Sequence, residues 1–229
     1  MFRGFAGGIT LRISEYLARQ IDKLSDRIEK GEVQEFLKRL LEMGHLSPFE
    51  HASFTFGVEG ISRVTSHQLV RHRIASYSQQ SQRYVKKTGG IEYIVPPSIS
   101  KRKALKEQYD RVIAELQDTY RQLIEAGVAA EDARYVLPNA AETKLVVTMN
   151  ARELRHFFRQ RCCTRAQWEI REMAETMLER VREVAPVLFA DSGPPCVNGF
   201  CPEGDMSCGR VAAYSGTDKR TAARSKTRR

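Results

Sequence analysis

The strongest constraint on the fold is a helical stripe in the middle of the chain. After Ser100, the residues Leu105, Tyr109, Val112, Ile113, Leu116, Tyr120, Leu123 and Ile124 recur at helical spacing until Gly127, where a C-terminal cap belongs. A helix apolar along one face draws most of its stability from packing that face. Runs of period two supply a partner surface. Phe54, Phe56 and Val58 alternate with Ser53, Thr55 and Gly57, KLVVTM at 144–149 reads as a second strand, and IEYIVPP at 91–97 as a third ended by its two prolines. Shorter helices are expected over 14–29 and in VQEFLKRLLEMGH, where Phe36, Leu37, Leu40 and Leu41 share a face before Gly44. Others are expected in SRVTSHQLVRHR behind Ser62, and from Glu131 to Val136 before Pro138. NARE offers Asn150 as an N-cap with Glu153 three residues on, and TRAQ at 164–167 repeats that logic for a helix to about 184. Strands and helices intermix without regular alternation, and no internal repeat occurs. The fold class is therefore α+β, not a doubly wound parallel sheet.

Composition narrows the kind of protein. With 41% apolar and 28% charged residues among 229, the chain suits one sizeable soluble domain with an added tail. No run of about 18 apolar residues is present, and MFRGFAGGITLRISEY lacks the apolar stretch of a signal peptide. A cytoplasmic protein is expected. The net charge of +9 gathers at one end: TDKRTAARSKTRR holds Lys219, Arg220, Arg224, Lys226, Arg228 and Arg229 against Asp218. That tail has no apolar residue larger than Ala and reads as disordered. The remainder is only mildly basic, so charge alone makes no case for nucleic-acid binding. Five cysteines, an odd number, argue against a disulfide scaffold. Cys162 and Cys163 are adjacent, and Cys196, Cys201 and Cys208 follow C-x4-C-x6-C spacing. A metal or redox role and packed free thiols both stay open.

The chemistry-bearing residues fall in three stretches. In RHRIASYSQQSQRY (71–84), Arg71, Arg73 and Arg83 have no acid nearby in sequence, since none lies between Glu59 and Glu92. A guanidinium fork matches phosphate or carboxylate, and Ser76, Ser78 and Ser81 add hydroxyls. The stretch reads as an anion-binding loop, too polar for a core strand. It is neither a P-loop nor a Rossmann turn. In NARELRHFFRQR, Arg152 and His156 share a face, Leu154, Phe157 and Phe158 look inward, and Arg161 closes the helix, its guanidinium pinned by local backbone. ARYVLP sets Arg134 in apolar surroundings, suited to a buried ion pair or a ligand. In EMGHLSPFEHASF, His45, Ser47, Glu50 and His51 surround Pro48 as a ligand-gripping loop or a turn; the spacing is no zinc pattern, and no metal is expected. A nucleic-acid-binding module is the rival, but it needs aromatics among the cations for stacking, and only Tyr77 and Tyr84 qualify.

Together these stretches resemble the flavin-dependent thymidylate synthases. That family's signature, RHR, seven residues, then Ser-x-Arg, is complete as Arg71-His72-Arg73, IASYSQQ and Ser81-Gln82-Arg83. GHLSPFEHASFTF, ARYVLP, NARELRHFFRQRC and RAQWEI flank it in order, and the likeness runs from about residue 33 to 190. The resemblance implies a central, mostly antiparallel sheet with flanking helices and a homotetramer with shared active sites. It further implies methylation of dUMP to dTMP with carbon from 5,10-methylenetetrahydrofolate, reducing equivalents from NADPH carried by FAD, and no enzyme nucleophile on the pyrimidine.

Carried over by position, the resemblance gives FAD to Ser47, Arg71, His72, Arg73, Gln79, Asn150, Ala151, Arg152 and His156. It gives dUMP to Gln68, Leu69, Val70, Arg71, Gln79, Gln80, Ser81, Gln82, Arg83, Arg161 and, from another subunit, Arg134. Arg161 would be catalytic, stabilising negative charge at the uracil N3 and its carbonyl, and His45 would lie near the flavin and folate. Ser81 falls to phosphate binding, because no His–Asp relay stands beside it. Ser78 and Gln79 replace residues that are often Asn and acidic in the family, and His156 stands where some members carry Asn. The implied layout is a variable segment at 1–30, a catalytic domain at 31–192, a Cys-containing extension at 193–213 and a basic disordered tail at 214–229. The remaining alternative, a member that binds FAD or nucleotide without turnover, sits poorly with the intact motif and Arg161.

Overall fold

The computed structural model describes Asp26 and residues 33–84, 90–199 and 201–211, and the chain divides into two compact units, 1–45 and 46–229. In the first unit, helix α1 (Val33–Met43) half-buries Leu37, Leu40 and Leu41 while Phe36 stays exposed. It ends as its sequence implies: Gly44 and His45 donate their N–H groups to the carbonyls of Leu41 and Leu40 at 3.1 and 2.9 Å. The helix expected over 14–29 lies, but for Asp26, outside the described residues, as does the basic tail.

The second unit is built on an antiparallel sheet of order β1-β3-β2, comprising β1 (Ser53–Ser62), β2 (Ala75–Gln79) and β3 (Glu142–Asn150). Helices α2 (Arg63–Leu69), α3 (Lys103–Glu125), α4 (Ala151–Arg161) and α5 (Trp168–Val184) flank it, an α+β arrangement. β3 is central because it alone alternates deeply buried apolar residues, Leu145, Val147 and Met149, with more accessible ones. It pairs Met149 with both Phe54 and Ala75, and Leu145 with both Val58 and Gln79. Between Val58 and Ile61 the β1 register slips. Gly60 turns there at φ 71°, a conformation costly for residues with a Cβ, and gives its N–H to Glu142 Oε1 at 3.0 Å. On one side of the sheet, Phe54, Phe157, Phe158 and Phe189 form a chain of edge and tilted ring contacts with centroids 5.3–5.9 Å apart. A second cluster gathers Ile91, Tyr120, Ala133 and Ala141 beneath α3.

Four expectations change. The polar run at 71–84 is not wholly a loop. Residues 75–79 form edge strand β2, with Ala75, Tyr77 and Gln79 half-buried and Ser76 and Ser78 exposed; an edge strand needs one moderately covered face, which small and amphipathic side chains satisfy. IEYIVPP is no strand. Its backbone meets the turn before β3 through one bridge, Tyr93 to Ala141, and the two prolines offer no further N–H. The middle helix starts at Lys103 after a separate turn, Pro97–Ser100, and Gly127 (φ 86°) closes it with Val128 N–H on Leu123 O at 2.9 Å. Of its stripe only Ile113 and Tyr120 are deeply buried; Leu105 and Val112 stay exposed in this chain.

The fourth change concerns α5. Its cap is Gln167, whose Oε1 accepts the N–H groups of Glu169 and Ile170 at 3.2 and 3.1 Å, because the helix begins at Trp168 and Thr164 lies too early. Glu169, buried in the first turn, accepts Ser62 N–H at 2.6 Å and Ser62 Oγ–H at 2.5 Å. The same Ser62 Oγ accepts Thr65 N–H at 3.2 Å, so one carboxylate locks the end of β1, the start of α2 and α5 together. Glu169→Ala leaves these donors buried and unmatched, and should remove about 3 kcal/mol. The measurement is urea unfolding; an unchanged midpoint would contradict this role.

Candidate functional site

The turn after α2 throws alternate residues in opposite directions. Arg71 N–H donates to Gln68 O at 3.3 Å and His72 N–H to Leu69 O at 3.1 Å. From β2, Tyr77 Oη lies 2.9 Å from Leu69 O and 2.8 Å from His72 O, its single proton shared between them. Burial, with the Glu153 charge, pushes this phenol up to about 12, so it stays a donor. The staple leaves Arg71 and Arg73 exposed, without ion pairs among the described residues, and turns His72 inward to 5% exposure.

His72 is held from both sides. Arg161 Nε–H donates to its Nε2 at 3.1 Å, and its Nδ1 lies 3.2 Å from Glu153 Oε1. Arginine only donates, so Nε2 must carry a lone pair; the imidazole is neutral with its proton on Nδ1, donated to the carboxylate. The environment agrees. Burial first, then the Arg161 charge and then His156 lower the His72 pKa to about 4. Burial raises the Glu153 pKa, with His156 opposing. The ring also meets Phe157 edge-on, centroids 4.9 Å apart, and His156 at 6.0 Å. Arg161 is thus pinned by a side chain from another element, not by its local backbone. Its terminal nitrogens make no hydrogen bond among the described residues.

Beside this chain opens a cleft of about 770 Å³ lined by Ile74, Asn150, Arg152, His156, Arg159 and the segment 191–195 among others. Asn150 is shared between strand and helix: it ends β3, and its Oδ1 caps α4 by accepting Glu153 N–H at 2.9 Å. Arg152 pairs with Glu50, and His156 Nε2 stands 3.0 Å from Gln160 Nε2. Arg155, unnoticed in the sequence, builds the far wall. It grips both oxygens of Asp191 at 2.7 and 2.9 Å and also donates to Leu188 O at 2.6 Å. Burial works to raise the Asp191 pKa, but the Arg155 hydrogen bonds and charge hold it below the ordinary carboxylate value.

At the other end of β2, Ser81 Oγ accepts Arg83 N–H at 3.1 Å, and Arg83 pairs with Glu131. The expectation that acids were out of reach held only along the sequence; Glu131 arrives from 48 residues away. Among the described residues Arg134 forms no ion pair and donates to Glu131 O at 3.1 Å, so the two arginines meet at one residue. Gln79 donates to Thr143 Oγ1 at 3.1 Å, Gln80 N–H to Lys144 O at 2.9 Å, and Gln68 makes 3.5 Å contacts to Val64 O and Gln167. Gln82 is half-buried and Val70 exposed. Leu69 and Ala151 are wholly buried, and their backbones are already engaged: Ala151 N–H donates to Ala52 O at 2.7 Å, and Leu69 O accepts from His72 N–H and Tyr77 Oη–H. Ser47 and His45 are exposed, His45 in the first unit.

The five cysteines are free. Burial pushes the Cys162 thiol up to about 12, which fits packing. Cys163, Cys196, Cys201 and Cys208 line one small crevice, yet among the described residues no three His, Cys, Asp or Glu side chains converge to hold a metal. No described helix is long and apolar enough to cross a membrane.

Comparison with known proteins finds one family throughout. The profile of a family described as thymidylate synthase complementing protein matches residues 10–187. Proteins named flavin-dependent thymidylate synthase are similar over most of the chain. That of Geobacter sulfurreducens is 56% identical over 198 residues, covering 86% of this chain and 85% of its own. That of Clostridium tetani is 51% identical, covering 84% and 83%. That of Pyrococcus furiosus is 49% identical, covering 79% and 78%.

The neutrality of His72 sets a pH dependence. Its folded pKa of about 4 lies below the unfolded value of 6.5, so the unfolded chain takes up a proton first as pH falls. His72 should therefore cost stability progressively from pH 6.5 down to about 4. Unfolding measured across that range should show a shallower decline in His72→Gln than in the parent; identical slopes would contradict the assignment.

Proposed function

We propose, on the premise that this chain belongs to the thymidylate synthase complementing protein family, the flavin-dependent thymidylate synthases, that it makes dTMP from dUMP. The one-carbon unit comes from 5,10-methylenetetrahydrofolate and two electrons from NADPH reduce it to the methyl group. The observation that carries this reading is Arg161: a half-buried guanidinium anchored through Nε to His72, with two terminal nitrogens unclaimed among the described residues. Immobilised arginine with an unused donor fork suits an anionic or charge-developing ligand.

The residues fit a flavin dinucleotide. The cleft is of small-molecule size, its lining joins apolar Ile74 to Asn150, Arg159 and His156, and Arg71 and Arg73 offer two unpaired guanidinium groups for a pyrophosphate. When bound, FAD supplies hydride transfer, chemistry that no side chain here provides. In this reading Ser47, Arg71, His72, Arg73, Gln79, Asn150, Ala151, Arg152 and His156 hold it, with His45 near the flavin and folate. The QQSQR end, with Gln68, Leu69, Val70, Arg71 and, from another subunit, Arg134, holds dUMP. Arg83 exchanges Glu131 for the phosphate, a small cost because the exposed pair is worth little. Arg161 directs its terminal N–H groups at the uracil edge and stabilises negative charge at N3 and its carbonyl, so the ring carbon becomes nucleophilic without attack by an enzyme group.

We further propose the family's fold and a homotetramer with shared sites, an assembly that would cover Leu105 and Val112 on α3 and Val146 on β3, which are exposed in one chain. We assign catalysis to residues 31–192, with 1–30, 193–213 and 214–229 outside it, and the cytoplasm as its location.

The purified protein should be yellow or become so with FAD, and should form dTMP when dUMP, methylenetetrahydrofolate and NADPH are supplied. Protein that stays colourless would reject the reading. Arg161→Ala should keep the flavin absorbance and lose about 10²–10³-fold in kcat; undiminished turnover would remove Arg161 from the chemistry.

A further inference from the structure

We propose that Glu153 is the positioning residue that aims Arg161, acting through the tautomer of His72. The inference rests on the catalytic role given to Arg161 above and adds a residue to it. Glu153 stands at the third position of α4, where a capping box would send its carboxylate back to the Asn150 N–H. The side chain does otherwise. Asn150 caps Glu153 N–H at 2.9 Å, while the Glu153 carboxylate runs inward to His72 Nδ1 at 3.2 Å and lies 7% exposed.

A buried carboxylate with one hydrogen-bonding side chain is a poor device for stability, since an apolar residue of similar volume commonly does as well or better. The helix N-terminus makes its charge tolerable there but gives no reason for its direction. Its effect on His72 does. A carboxylate that only accepts selects the Nδ1–H tautomer, and this leaves the Nε2 lone pair facing Arg161 Nε–H at 3.1 Å. In the opposite tautomer two N–H donors would face each other. Arg161 would lose its one side-chain anchor, and its terminal nitrogens would no longer hold a fixed direction. Phe157 packs edge-on against the ring and the Tyr77 staple holds the His72 backbone, so the proton position is what Glu153 controls.

The test combines kinetics with 15N NMR of histidine-labelled protein, His72 being assigned by its loss in His72→Gln. In the parent the His72 signals should be those of a neutral Nδ1–H ring. In Glu153→Ala the Nδ1 proton loses its acceptor, so an Nε2–H population that breaks the Arg161 contact should appear, flavin absorbance should remain, and kcat should fall about 10–100-fold with a smaller change in the KM for dUMP. Glu153→Gln, whose amide oxygen still accepts from Nδ1, should recover the tautomer and most of the rate despite its lost charge. An Nε2–H ring or imidazolium in the parent would overturn the proposal without any variant having to fold. So would Glu153→Ala with an unchanged tautomer, or Ala and Gln variants equally slow. Failure of the parent to make dTMP would instead reject the enzymatic reading, and the tautomer result would still decide whether Glu153 sets Arg161.

Discussion

The site depends on one neutral imidazole. His72 is too buried to carry a charge beside Arg161, and its lowered pKa and two-sided hydrogen bonding express the same constraint. Because it is neutral it can be asymmetric, a donor to Glu153 and an acceptor from Arg161. Through that asymmetry a turn after α2 and both ends of α4 become one unit. Had His72 been replaced by a residue that only donates, Arg161 would have no acceptor among the described residues and nothing to hold its guanidinium at a fixed angle.

The scaffold makes this possible by running strand into helix without a linker. β3 is bonded on both edges and ends at Asn150, whose side chain immediately caps α4. Rigid strand geometry therefore sets where Arg152, Glu153, His156 and Arg161 project. β2, on the opposite edge from β1, separates two groups of cations. Arg71 and Arg73 stand before it, and Arg83 stands after it beside Glu131 and Arg134. Five strand residues span roughly 17 Å. Glu169 and Glu153 share a device: a carboxylate in the first turn of a helix faces a distant element, Glu169 accepting from Ser62 N–H and Oγ–H and Glu153 from His72 Nδ1–H.

Much of this was legible in the sequence. Phe54, Phe56 and Val58 gave the strand, Asn150 the cap, Gly44 and Gly127 the helix ends, because each rests on local backbone or periodic rules. RHR and NARELRHFFRQR are stretches that the fold brings together, through His72, Glu153 and Arg161. What escaped were partnerships. Nothing near Arg83 announces Glu131, and Glu153 looks like half of a capping box until its carboxylate is seen to face His72. β2 was concealed because edge strands need so little apolar content, and Arg155 because a charged helical position reads as solvent-facing until Asp191 folds back to it. Gln167 replaced Thr164 as a cap through a shift of a few residues that periodicity does not resolve. Side-chain pairing over long sequence separation has no local signature, and it is what assembles the candidate site.

The most direct test of the account is a crystal structure of the protein with FAD and dUMP. The expected result has the uracil edge at the terminal nitrogens of Arg161, with its Nε still on His72, and the phosphate at Ser81 and Arg83 with Glu131 displaced. A nucleotide bound with its phosphate on Arg161, or a bound complex in which Arg161 has left His72, would contradict it.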